Sequence, residues 1–348
     1  MMKFKTCAIT AAAVLFLAAC GGGGGVSATT SPTNPPVAVV PPTPQQPSIT
    51  PADIQTSVPA LSYAAMSDAY TFASTVNKFR ASVGLGLLAQ NAMLDTAAVK
   101  HLEYVLKNDV LYGGTVDMDM NDPITGRSMF HIEQPNKPLF TGVQEIDRAM
   151  SAGYTGTYIG EELTFGGGKG GQAAFDSLAS TVYHRAGLML QSVNDMGVAV
   201  GNDRSQTFVL EMGTTKAQRQ ASDFIGLFPA ANQTGVGLHA GVEVPNPFPD
   251  LSTANDDFPT KTGYPVSVVV KEGVTVEVLT FTLTAEGAVS PLNARILTID
   301  NDPNRYLTSN FAFLVATAPL KAGTNYIAKF SGRVSNVIVN KEWKFTTR

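Results

Sequence analysis

Residues 131–168 read HIEQPNKPLFTGVQEIDRAMSAGYTGTYIGEELTFGGG, and residues 180–190 read STVYHRAGLML. His131 and His184, two of the chain's four histidines, stand near the ends of this stretch, with Glu161 and Glu162 between them. Two neutral imidazoles and one carboxylate can hold Zn²⁺ or another divalent cation with a fourth position open to water. The same trio, His131, Glu161 and His184, can instead be a hydrogen-bonded acid–base set near neutral pH. It can also be a polar network that ties loops together. The residue types alone leave all three open. The chain has no His-Glu-x-x-His pair, no serine elbow and no reactive-cysteine motif, which weighs against a standard hydrolase.

Working outward, the spacing predicts helices on both sides of the stretch. Tyr70, Ala73, Val76 and Phe79 recur at helical intervals after the start signals Ser67 and Asp68, and Gly84 and Gly86 close the segment. Asn91 offers an N-cap to a second helix, whose stripe is Leu94, Ala97, Ala98, His101, Leu102 and Val105. On that stripe His101 reads as a core or rim residue. A short helix is expected near Gln144 to Ala152, and one longer helix from Ala173 to Leu190. Asp147-Arg148 reads as a surface ion pair, and Glu133 as a solvated loop carboxylate. Gly166 to Gly171 lacks the Lys-Ser/Thr ending of a phosphate loop and reads as a mobile edge loop. Val198–Val200 and Thr207–Leu210 read as strands joined at Asn202-Asp203. Helices followed by a small antiparallel sheet imply an α+β domain.

Several of these residues recur in a recognisable order: Asn77 to Arg80, Leu87-Leu88, Asn91, Ala97-Ala98, His101, His131, Asp147 to Ala149, Gly160-Glu161, His184-Arg185 and Asp195 to Val198. Over residues 60–213 this pattern resembles the CAP superfamily of cysteine-rich secretory, antigen 5 and pathogenesis-related proteins. The resemblance implies an α-β-α sandwich and a cleft lined by two histidines and two acids. His131 and His184 then match the histidines, and Glu161 the acid of the Gly-Glu motif. At the fourth position Thr181 stands where many relatives have an acid, and Asp176 is the nearby substitute. Glu162 is either a second cleft acid or a cap for its loop. The resemblance further suggests lipids, sterols or envelope proteins as ligands.

The flanks set the context. Lys3 and Lys5 precede an apolar run, Ile9 to Ala18, too short to span a bilayer. Leu17-Ala18-Ala19-Cys20 resembles a lipobox, so residues 1–19 are expected to be a lipoprotein signal peptide and Cys20 the lipidated residue. Gly21 is not a retention aspartate, which points to the outer membrane of the cell envelope. Removing the two lysines takes the formal charge from −4 to −6. With no basic stripe, nucleic acid is a poor partner, and membrane attachment would rest on the N-terminal lipid alone. Residues 20–59, rich in Gly, Pro and Thr, are expected to be a disordered tether.

Beyond Gly213 the composition shifts. Lys216 to Asp223 reads as the end of a helix, and 214–260 as a linker. Residues 261–348 carry β-branched runs separated by turns, the pattern of an all-β immunoglobulin-like sandwich. There Trp343 reads as core, and Pro319 to Tyr326 as the turn-and-tyrosine approach to a late strand. The expected function is binding of a ligand or partner through the cleft. The alternatives are a metal-dependent hydrolase using the same residues, and an adhesive surface protein acting through the sandwich.

Overall fold

In the computed structural model, residues 50–110, 129–165, 168–251 and 262–348 are described. The expected signal peptide, Cys20 and most of the expected tether lie outside them. Helix α1, Asp68–Val83, begins at Ser67, whose side chain accepts from Tyr70 N–H, and ends at Gly84 in the left-handed conformation. Strand β1 is Ala89–Gln90. Helix α2, Ala92–Lys107, is capped by Asn91 and buries the predicted stripe from Leu94 to Val105. Helix α3 is Glu145–Ser151, strand β2 Ile159–Thr164, helix α4 Gly171–Ala179 and helix α5 Tyr183–Leu188. Strands β3, Asp195–Val200, and β4, Phe208–Gly213, complete the first part.

These four strands form one mixed sheet in the order β1-β3-β4-β2, which leaves β2 at an edge. Alternation along the strands sends side chains to two layers. Leu163, Ala199 and Val209 pack with Ala98, Leu102 and Val105 of α2. Met196, Val198, Phe208, Leu210 and Met212 pack with α1 and α4 through Phe72, Val76 and Phe175. The sheet is therefore covered on both faces, an α-β-α arrangement. The expected helix 173–190 is instead two, α4 and α5. Ser180 and Thr181 turn their hydroxyls back onto Ser177 O and Leu178 O at the break, the local competition that ends helices.

The β-rich part has two antiparallel sheets. One, in the order β5-β6-β9-β8, joins Ile225–Phe228, Val266–Val270, Phe311–Ala316 and Ala294–Leu297. The other, in the order β11-β10-β7, joins Val337–Thr346, Asn325–Val334 and Val276–Ala285. Strand β10 alternates buried and exposed along most of its length, so one of its faces meets water. Strands β6 and β9 are buried at every position. Their sheet is covered on one face by β7 and on the other by the first part of the chain: Phe228 meets Phe79 of α1 edge-on at 4.8 Å. Trp343 is core, its indole N–H donating to Pro229 O, and Tyr326 OH accepts from Lys321 N–H at the expected corner.

Two expectations change here. Lys216 to Asp223 is not helical; Arg219 pairs with Asp53 in an extended bridge. The stretch 214–260 is not simply a connection, because it supplies β5 to the second sheet. Residues 48–348 make one compact unit, and a single apolar cluster runs from Phe72 to Phe345. No helix among the described residues is long and apolar enough to cross a membrane.

Candidate functional site

The site forms around the edge strand β2. Glu161 and Glu162 are neighbours in sequence, so on a strand they point to opposite faces. Glu161 turns toward α2 and α3, and Glu162 toward α5. His131 belongs to the first face and His184 to the second.

On the first face, His131 ends a short 3-10 turn, Met129–His131. Its Nδ1 lies 2.8 Å from Glu161 Oε1, and its side chain is 22% exposed. Arg148 NH2 donates to the other oxygen of Glu161, and Arg148 NH1 donates to His131 O. Burial works to raise the Glu161 pKa, but the Arg148 guanidinium, and after it His101 and His131, hold it well below the usual carboxylate range. An ionised Glu161 can only accept, so His131 carries its proton on Nδ1 and leaves Nε2 as an acceptor. Behind this pair, His101 Nδ1 lies 3.0 Å from Glu133 Oε1 and its Nε2 3.0 Å from Phe130 O. Glu133 is fully buried and also accepts from Thr141 N–H.

Glu211, directly opposite Glu161 on β4, is also fully buried. Burial, and then the charge of Glu161, push its pKa well above the usual range. The two cross-strand carboxyls are thus pushed in opposite directions: Arg148 favours the ionised form of Glu161, and burial beside Glu161 favours the protonated form of Glu211.

On the second face, His184 sits on α5 with 19% of its side chain exposed. Its Nδ1 lies 3.1 Å from Thr181 Oγ1 and 3.5 Å from Glu243 Oε2. Burial alone would lower the His184 pKa. Glu243, 3.5 Å from Nδ1, and the charge of Glu162 raise it above the ordinary value, and the charge of His131 opposes them. Glu162 enters the space left by Gly187: a Cβ there would lie 1.6 Å from Glu162 Oε1. Burial pushes the Glu162 carboxyl up to about 8, with His184 opposing and Glu243 and Glu161 adding.

Several sequence readings are corrected by this arrangement. Glu162 is buried on β2 beside Gly187 and near His184, so it does not cap a loop. Arg148 is buried, and its partner is Glu161 of β2; Asp147 instead accepts from Gln144 N–H in a capping box. Glu133 is buried, because His101 and Thr141 take its oxygens. Asp176 is exposed and bonds Gln172, so it does not replace the acid missing at Thr181. Glu243, 3.5 Å from His184 Nδ1, is the acid beside that ring instead. The sequence pattern missed it because it lies on a Pro-rich segment far from the motif, with no periodicity to mark it.

The three-donor metal set His131, Glu161 and His184 does not assemble. The Glu161 oxygens are taken by Arg148 and His131, and His184 is served from the other face of the sheet by Thr181 and Glu243. Among the described residues, no group of three or more His, Cys, Asp or Glu side chains could hold a metal ion. The arrangement instead offers two partly exposed imidazoles, each backed on Nδ1 by a buried carboxylate.

A search of curated proteins gives no match. An extracellular protein containing an SCP domain from Bacillus anthracis str. Ames is 17% identical with a TM-score of 0.32, over 42% of this chain and 40% of that one. This chain thus spans about two fifths of that protein's length. An outer surface protein from Borrelia burgdorferi is 16% identical with a TM-score of 0.31, over 43% of this chain and 93% of that one. The family model described as CAP, cysteine-rich secretory protein family, matches residues 73–212, the span from α1 to β4. This part of the chain is a CAP domain, joined to an all-β region of antiparallel sheets.

Proposed function

We propose that this protein binds a ligand at the cell envelope through the cleft that straddles β2, with His131 and His184 as its two contact points. The observation that carries the reading is the doubled dyad: both imidazoles are partly exposed, and both have Nδ1 engaged by an oxygen held from behind. That arrangement fixes ring orientation and leaves Nε2 to meet a ligand's hydroxyl, or its anionic group when the ring is protonated. Phe130 and Phe165, whose rings lie 5.4 Å apart and are partly buried, add an apolar contact near His131. An amphipathic ligand with a small polar head fits such a lining. Attachment to the envelope through a lipidated Cys20, and export by residues 1–19, belong to the proposal and rest on the sequence pattern alone.

The test is titration of the purified chain with octanoate and with octanol, followed by the side-chain resonances of the two histidines. Saturable shifts of both imidazoles, lost in the His131→Ala/His184→Ala double variant, are expected. Binding that survives the double substitution unchanged refutes the reading. Calorimetry with Zn²⁺ addresses the donor set independently, and no tight site depending on these residues is expected.

A further inference from the structure

Glu243 lies beyond the family domain, on a segment that crosses the junction of α4 and α5. Gly241 N–H donates to Ser180 O at 3.0 Å. A Cβ at Gly241 would lie 2.4 Å from Ser180 Oγ and 3.0 Å from Thr181 Cγ2, so a glycine is what lets the segment approach so closely. Two residues on, one oxygen of Glu243 accepts from Val182 N–H and the other from Tyr183 N–H, each at 2.8 Å. The side chain is 3% exposed. Farther along, Asn304 Nδ2 donates to Asn246 O, and Phe248 is buried. The segment is thus fastened on both sides of Glu243.

We propose that Glu243 is a positioning residue for His184, so that the cleft is completed by a segment from outside the CAP domain. Thr181 Oγ1 donates its own proton to Leu178 O and can therefore only accept from His184 Nδ1–H. It is one neutral acceptor on a rotatable side chain. The Glu243 carboxylate is a charged acceptor on the same side of the ring, and two backbone N–H groups prevent it from turning away. Together they keep the proton on Nδ1 and leave Nε2 as the acceptor nitrogen. On the opposite face of β2, Glu161 does the same for His131, itself pinned by Arg148. Glu162 is the other acid near His184, its carboxyl pushed up to about 8 by burial, and Glu243 is the one that lies 3.5 Å from Nδ1. The inference rests on the cleft reading above for its importance to binding, but its test needs no ligand.

The test reads the His184 tautomer from its ring ¹⁵N shifts, at a pH where the ring is neutral, in the full chain. The variants are Thr181→Val, Glu243→Gln, their combination, and Gly241→Val combined with Thr181→Val. The Glu243→Gln side chain keeps an acceptor for one helical N–H, so the fold should persist, and amide spectra check it. The Nδ1–H form is expected in the parent and in Thr181→Val. Loss of that form in favour of Nε2–H is expected in Thr181→Val/Glu243→Gln, and equally when Gly241→Val lifts the segment away. Retention of Nδ1–H in Thr181→Val/Glu243→Gln overturns the proposal. So does its complete loss in Thr181→Val alone, because the carboxylate would then hold nothing. Neither result bears on the octanoate titration, so the two readings fail separately.

Discussion

Arg185 offers a direct measure of how far the two parts of the chain are one structure. It is fully buried on α5. Its Nε donates to Ala179 O within the CAP domain, and its NH1 donates to Pro265 O at the start of β6. Its guanidinium lies over the rings of Phe228 and Tyr264, at 4.9 and 4.7 Å from their centroids. Arg185→Ala removes two hydrogen bonds from a charged donor, each worth about 1.5–3 kcal/mol, and strands two buried carbonyls. A desolvated cation–π contact adds about 2 kcal/mol. Against this, the guanidinium no longer has to be desolvated, and burial already lowers its pKa. Its NH2 has no partner, a cost that also disappears. The net expectation is a loss of about 3–5 kcal/mol for Arg185→Ala. Arg185→Met, which keeps most of the volume and removes the orphaned donor, should lose about 1–3 kcal/mol. Urea denaturation followed by fluorescence of Trp343 reports on the β-rich part, and far-ultraviolet circular dichroism also follows the helices. Both probes should shift to the same lower midpoint with an unchanged slope. An Arg185→Ala midpoint within about 0.5 kcal/mol of the parent would show that this contact does not couple the two parts. The reasoning would then be wrong.

Two further outcomes follow from the carboxyls around β2. Glu161→Gln removes the carboxylate that Arg148 NH2 donates to, leaving only Glu133 at 3.9 Å from Arg148 Nε, and should cost about 3–5 kcal/mol. Glu211→Gln, at a carboxyl whose protonated form burial favours, should instead change stability by less than about 1 kcal/mol. Thermal melts of the two variants at pH 7 check this, and equal losses would contradict the opposite directions in which the two carboxyls are pushed. For Glu162 the sign is set by a folded pKa of about 8, above the usual 4.5. Between those values the folded chain holds a proton that the unfolded chain has released, so this group's contribution to stability falls as pH rises from 4.5 to 8. Glu162→Gln should flatten that decline and gain a few kcal/mol, about 4 at most, relative to the parent at about pH 8. Denaturation midpoints across that pH range read it directly, and parallel parent and variant curves would refute it.

Local patterns settled much of the architecture before any contact was known. Ser67, Gly84 and Asn91 marked helix ends because capping depends on groups a few residues apart. The stripe from Leu94 to Val105 marked the buried face of α2, and β-branched runs marked β6 to β11, because those periods are properties of the backbone itself. The resemblance named His131, Glu161 and His184; the structure joins His131 to Glu161 on one face of β2 and sets His184 with Thr181 and Glu243 on the other. What sequence could not supply was the partner of each charge. Arg148 and Glu133 look like solvated residues in one dimension and Glu162 like a cleft acid or a loop cap, and the burial of all three follows from β2 lying at a sheet edge between two helical layers. Glu243 reaches His184 only because Gly241 lets a segment from outside the domain press onto α4. Secondary structure and core were thus written in neighbouring residues, where short-range sterics and periodicity act. The cleft's electrostatics were decided by tertiary packing, because desolvation and Coulomb attraction depend on distance in space and ignore distance along the chain.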